Sequence, residues 1–295
     1  MTAGLGTRLD PLTRIVAKAA VPLGDRTLVE RVLDWLRREG IRDAVLNLHH
    51  LPHTITRVVG DGAHLGLRVR YSWEDPVLGS AGGPRRALPL LDADTFFIVN
   101  GDTLCDFSLA EMLEAHRASG ADVTVALVPN PAPDRYNGIV LDDDGRVTGW
   151  LPKGRAQGSW HFIGVQVAQS SAFAHLTDGV PVESVTGIYQ DLLIRSGRLR
   201  GFRPTTPFLD VGTPRDYLRA AMSLQDAPAG RGANVVWAGA VVDAGAQIAN
   251  CIVAGDLRLA AGFAARDAVI VPAAIARPDD AVERRNGVAV FPMGP

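Results

Sequence analysis

The spacing of apolar positions changes character along the chain. Leu28, Val32, Leu33 and Leu36 recur at helical intervals, and Gly40 falls where such a helix stops. Ala44–Leu48 is a short apolar run suited to a buried parallel strand. Leu67 to Tyr71 alternates, Thr95–Val99 runs into Asn100-Gly101-Asp102, and Val123 to Val128 supplies a fourth strand. Helical patterns fall between them, at 53–59, 80–88 and 108–118. This alternation predicts an α/β fold: a Rossmann-like, mostly parallel mixed sheet with helices on both faces.

From Gly138 the strands shorten. Asp142 to Gly145 reads as the turn between Ile139–Leu141 and Val147–Leu151, followed by a strand over His161–Val167. A helix is expected over Gly187–Arg195, a late strand over Phe208–Val211, and a helix opened by Pro214 and running to Leu224. Gln225 to Ala233 reads as a linker. Beyond it Val236, Val242 and Ile248 stand six apart, as do Gly239 and Gly245, and Ile252-Val253 recurs as Ile270-Val271 eighteen residues later. A six-residue period with an aliphatic anchor suggests a β-helix; the competing reading is an Ala/Val/Gly-rich strand pair. The expected division is a first domain over 1–226 and a short repeat domain with its tail over 227–295.

Composition narrows the function. A formal net charge of −2 gives no global field for nucleic acid or an anionic membrane, and no apolar run is long enough for a membrane helix. Phosphate binding, if present, must be local. Cys105 and Cys251 stand alone, without a C-x-x-C pair, which suits a reducing cytoplasm and offers no zinc site. His49 and His53 would share a helix face only if Pro52 were not inside that helix; Pro52 is better placed as the start of the next helix, which leaves the histidines in a strand-end loop. Trp35 and Trp237 read as packing residues.

The strongest chemistry lies at the N-terminus. Gly4-Leu5-Gly6-Thr7-Arg8 is a glycine-rich loop with a hydroxyl and a guanidinium behind it. Its backbone N–H groups can face phosphates closely, Arg8 can bind phosphate oxygens bidentately, and Lys18 adds a point charge. A tight turn with surface cations would look the same. The dinucleotide fingerprint fails because position 9 is Leu, and no Gly-Lys-Ser/Thr follows for a Walker loop.

Taken together the motifs resemble those of the sugar-phosphate nucleotidylyltransferases, over residues 3 to 224. Gly4 to Arg8 with Lys18 and Val21-Pro22 looks like the family's opening loop, and Thr27 to Leu33 like the helix behind it. Leu78 to Gly83 is similar to its base-reading segment, and Asn100-Gly101-Asp102 and Asp210 to Thr213 to its two metal-carboxylate motifs. The repeat tail resembles the short left-handed β-helix of the guanylyltransferase branch. The resemblance implies transfer of a nucleoside monophosphate from a nucleoside triphosphate to a sugar 1-phosphate, with release of pyrophosphate. It implies Arg8 and Lys18 as catalytic cations, and Gly4, Leu5, Gly6, Thr7, Ser80 and Gly82 as nucleotide contacts. Gly138, Lys153 and Gly164 would meet the sugar phosphate, and Asp102 and Asp210 would hold Mg²⁺, a hard cation that takes oxygen ligands. A helix-cap or turn role competes for each aspartate. Homo-oligomerisation and the nucleobase stay open.

Departures from the family pattern bear on activity. The family opens on a hydrophobic strand before the loop, whereas Met1-Thr2-Ala3 alone precede Gly4 here. The expectation is a true start upstream; the other reading is a loop with no strand under it, in a destabilised and weakly active protein. Ala17 stands in place of Pro before the lysine, Pro152 in place of an acidic residue, and Phe162 in place of a polar one. These motivate a second expectation, a non-catalytic regulatory subunit that binds sugar nucleotides.

Overall fold

The computed structural model describes residues 1–195, 198–224 and 233–294. All of the expected linker but Ala233 lies outside them. The main helices are α1 (Leu28–Arg38), α2 (Pro52–Val59), α3 (Gly79–Leu91), α4 (Leu109–Ser119), α5 (Gln190–Arg195) and α6 (Pro214–Ser223). The main strands are β1 (Asp43–Leu48), β2 (Arg68–Trp73), β3 (Thr95–Val99), β4 (Val123–Pro129), β5 (Gly138–Leu141), β6 (Val147–Leu151), β7 (Trp160–Gln169), β8 (Leu199–Phe202), β9 (Gln247–Val253), β10 (Ala264–Pro272) and β11 (Val288–Pro292). The helical stripe of α1 explains its burial: Leu28, Val29, Val32, Leu33, Trp35 and Leu36 are all inside. Thr27 and Glu30 cap it reciprocally, the Glu30 carboxylate accepting from the Thr27 N–H at 2.7 Å. Pro52 begins α2, as its missing N–H favours.

Two compact units emerge. One comprises Met1–Gly4, Val32–Pro52 and Val59–Phe208; the other comprises Leu5–Arg31, His53–Val58 and Leu209–Pro295.

The first unit is built on a six-stranded sheet in the order β8-β4-β7-β5-β6, with β3 also paired to β7. Here the expectation of a mostly parallel sheet is corrected. Only β8 runs parallel to its neighbour β4; β7 is antiparallel to β3, β4 and β5, and β5 to β6. The cause is β7. It leaves the β5–β6 hairpin and inserts between β3 and β4, two strands whose connecting helix α4 would otherwise make them parallel neighbours. Phe96, Ile98, Val123, Val125, Leu127, Phe173 and Tyr189 form the core around it. β1 and β2 form a separate parallel pair, against which α3 packs. Met1 and Thr2 lie between the ends of β1 and β3. Met1 bonds the Val99 carbonyl and the Gly101 N–H, and Thr2 bonds Asn47 through both its amide and its hydroxyl.

In the second unit, Val235–Val236 pairs with β9 and β9 with β10, all parallel. Val235 faces Ile252, and Gln247 faces Ala264, seventeen residues on in each case. The repeat is therefore seventeen residues, not the eighteen suggested by matching Ile252-Val253 to Ile270-Val271: Ile252 and Val253 face Val269 and Ile270. An antiparallel hairpin, β11 with Glu283–Arg285, ends this sheet. Trp237 and Trp35 are buried, and their indole N–H groups donate to Tyr217 and to the Phe107 carbonyl, which agrees with a packing role.

Candidate active site

Within the second unit the chain from Leu5 to Lys18 closes on itself. Gly6 adopts a left-handed conformation at φ 63°, and its carbonyl accepts from the Leu9 N–H at 2.9 Å and the Thr13 hydroxyl at 3.2 Å. A side chain there would come within 2.8 Å of Thr13 Cγ2 and 3.0 Å of Lys18 Cβ. Glycine thus lets the stem of Lys18 pack directly beside the loop. Gly4, Leu5, Thr7 and Arg8 are exposed, while Leu9 anchors the loop in the core. Ala17, which replaces the family's proline, uses its N–H to bond Thr54 at 3.0 Å, a bond that proline could not make.

The same unit places Asp210 at the end of the short strand Phe208–Asp210, before the N-terminus of α6. A Cβ on buried Gly212 would lie 3.1 Å from Asp210 Oδ2, 3.2 Å from Arg8 Nη1 and 3.4 Å from Asp216 Oδ2. Arg8 and Asp210 therefore border one point. Asp216 was not anticipated as a neighbour; its signal was the Thr213-x-x-Asp216 pattern of a capping box, which the structure forms.

The first unit holds the other residues. The Asn100 N–H donates to the Gly164 carbonyl at 2.8 Å, and the Asn100 side chain packs where a Cβ on Gly164 would stand. Gly164 sits at φ 79° in an irregular stretch of β7 between Phe162 and Gln166. The Asn100-Gly101-Asp102 motif and Gly164 are thus brought together. Gly138 lies against Ser159, leaving no room for a side chain, and Lys153 is exposed, its N–H held by Asn137 at 2.9 Å. His161 lies between Tyr136 and Phe208, with ring centroids at 4.3 and 5.7 Å, and burial pulls its pKa down to about 4.

The Leu78–Gly83 segment starts α3 and is held from two sides. The Ser80 hydroxyl donates to Glu183 at 2.6 Å and accepts from the Ser184 N–H, and the Gly82 N–H donates to the Val182 carbonyl at 3.1 Å. Opposite, buried Glu74 accepts from the Leu78 N–H at 2.8 Å and from the Asn47 amide at 2.7 Å. Sequence reasoning missed Glu74. A lone Glu at the end of an alternating strand carries no periodic mark of burial.

His49 and His50 lie between β1 and α2, with His49 Nδ1 2.9 Å from the Glu74 carbonyl. Among the described residues, no group of three or more His, Cys, Asp or Glu side chains could hold a metal ion by itself. Asp102 and Asp210 each offer the oxygen donors that a hard divalent cation takes.

The family profile described as nucleotidyl transferase matches residues 1–227. The chain belongs to this family. It is similar to a mannose-1-phosphate guanylyltransferase of Mycobacterium tuberculosis, 29% identical over 264 residues, covering 86% of this chain and 74% of the relative. A UTP–glucose-1-phosphate uridylyltransferase of Synechocystis sp. is 26% identical over 237 residues; the match covers 75% of this chain but spans only 61% of that relative. The crystal structure of HddC from Yersinia pseudotuberculosis complexed with GMP-PN shares the fold at a TM-score of 0.65 and 23% identity, covering 76% of this chain and 96% of that one. For a nucleotidyl transferase, the pairing of an exposed glycine loop with flanking cations and a strand-end carboxylate is apt chemistry. No helix among the described residues is long and apolar enough to cross a membrane.

Proposed function

We propose that this chain transfers a nucleoside monophosphate from a nucleoside triphosphate to a sugar 1-phosphate. The observation that carries this reading is the convergence of Arg8 and Asp210 on Gly212, with Lys18 packed against Gly6 in the same unit. An oxygen of the sugar 1-phosphate attacks the α-phosphorus in line, the bond to the bridging oxygen breaks, and pyrophosphate leaves. No protein nucleophile is required, so the chain contributes positioning and charge neutralisation. Arg8 and Lys18 take the charge that develops on pyrophosphate and the α-phosphoryl group. Gly4, Leu5, Gly6 and Thr7 offer backbone N–H groups to the triphosphate, and Ser80 and Gly82 border the base. Gly138, Lys153 and Gly164 receive the sugar phosphate. Asp102 and Asp210 would hold Mg²⁺, which when bound neutralises phosphate charge and fixes its geometry.

The match ending at residue 227 supports a nucleotidyl transferase domain over 1–226 and a separate 227–295 segment, and the seventeen-residue parallel offset supports a short β-helix there, proposed as left-handed. Guanine is the favoured base on the names of the relatives, and the cytoplasm, where such triphosphates are abundant, is the favoured location.

The test is pyrophosphate release from GTP, UTP and dTTP with a panel of sugar 1-phosphates, by wild type and by Asp102→Asn. Turnover by wild type and its loss in the variant are expected. Sugar-nucleotide binding without any pyrophosphate from wild type would instead establish the regulatory-subunit reading.

A further inference from the structure

Residues 4–8 are largely exposed; Arg8 is one of them and Lys18 packs beside Gly6. Between Arg8 and Lys18 stands Arg14, and its guanidinium uses all five N–H donors within the same unit. Nε donates to Asp10 Oδ1 at 2.7 Å, and Nη2 to Asp10 Oδ2 and, at 3.0 Å, to Asp280 Oδ1. Nη1 donates to Asp280 Oδ2 and, at 3.2 Å, to the Ile275 carbonyl. The Phe291 ring lies 5.4 Å from the guanidinium carbon, and the Arg277 N–H fixes Asp280 at 2.7 Å. The side chains of Arg14 and Asp280 are only 11% and 15% exposed, so solvent screens the pair weakly. A second link lies nearby, where Ile15 packs over the Gly255 turn.

A guanidinium with no donor left cannot also hold a phosphate, so Arg14 is a fixture, not a ligand. We propose that Arg14 and Asp280 are positioning residues through which the C-terminal tail sets the geometry of the triphosphate loop. The tail, in this view, controls affinity for the nucleotide without touching it. Releasing Asp280 frees the segment from Asp10 to Arg14, and the loop then spends binding energy on becoming ordered. The inference rests on the nucleotidyl transferase reading above, but its test does not require turnover.

Calorimetry with GTP, UTP and dTTP in the presence of Mg²⁺ gives the nucleotide Kd of wild type, Asp280→Asn and Arg14→Lys, each checked by thermal melting. The best-bound triphosphate is expected to bind Asp280→Asn about tenfold more weakly, the factor that 1.4 kcal/mol represents. Arg14→Lys keeps the charge but loses the fork, and is expected to weaken binding similarly. KM for the triphosphate should rise in step while KM for the sugar 1-phosphate stays within about twofold, and Asp280→Glu should recover most of the loss. A folded Asp280→Asn with unchanged triphosphate Kd overturns the inference, as does a fall in kcat alone. If wild type binds triphosphate but releases no pyrophosphate, the transferase reading fails while the Kd comparison still decides this one. If wild type binds no triphosphate, both fail.

Discussion

Replacing Gly164 by alanine separates two physical costs at an irregular point of β7. The new Cβ would stand 2.6, 2.8 and 2.9 Å from three side-chain atoms of Asn100, and the backbone would keep φ 79°. Left-handed backbone costs a non-glycine residue about 1–2 kcal/mol, and overpacking at a buried position about 1–3 kcal/mol more. Together these come to about 2–5 kcal/mol, a large part of the roughly 5–15 kcal/mol that holds a domain folded. Gly120→Ala is the control: Gly120 has φ 62° with nothing within 4 Å of the added carbon, so only the backbone cost applies. Equilibrium urea unfolding of both variants should therefore place Gly164→Ala about 1–3 kcal/mol below Gly120→Ala. Pyrophosphate release should also drop in Gly164→Ala beyond the loss of folded protein, because Asn100 must shift and Asp102 lies two residues on. Equal destabilisation by the two substitutions, within about 0.5 kcal/mol, would refute the packing argument.

Other outcomes follow from the same geometry. Glu74→Gln puts an amide hydrogen against one of the two donors that now meet the carboxylate; a loss of about 1–3 kcal/mol is expected in urea unfolding, with a raised KM for nucleotide. Asp210→Asn should lower kcat by on the order of 10²–10³ with a stability near wild type, measured by pyrophosphate release and thermal melting, and chelation of divalent ions should abolish turnover reversibly. Burial holds the pKa of His161 at about 4 and lowers that of His116, which sits between Thr124 and Gln169. The unfolded chain therefore takes up these protons first. Their contribution is whole above pH 6.5 and is lost as pH falls towards 4, so the melting temperature should drop over that interval and His161→Gln should flatten the drop.

Many elements were legible because they advertise themselves locally. The α1 stripe, the Thr95–Val99 run and the Thr213/Pro214 start of α6 each carry a periodic or capping mark, and each element formed within a residue or two. Strand order was not legible: β7 reads as one more strand, and nothing in Trp160–Gln169 says that it will insert antiparallel between β3 and β4. The seventeen-residue offset was missed by one because Ile252-Val253 and Ile270-Val271 are alike in kind, and hydrophobic identity alone does not fix register. For the site, glycines and carboxylates stood out by type. The partners that hold them did not: the Glu74 bond to Asn47 and the Arg14 pair with Asp280 join residues distant in the chain, and Asp216 was marked locally only as a helix cap.

The closing hairpin of the C-terminal sheet has a colloidal consequence. Parallel stacking leaves β10 with Val269, Ile270 and Val271 on a strand whose free side could template another molecule. β11 covers that side, and the outermost strand, Glu283-Arg284-Arg285, presents charge in place of aliphatic surface. A chain cut before residue 273 would lose this guard, and its stack would be open to end-on growth into insoluble assemblies.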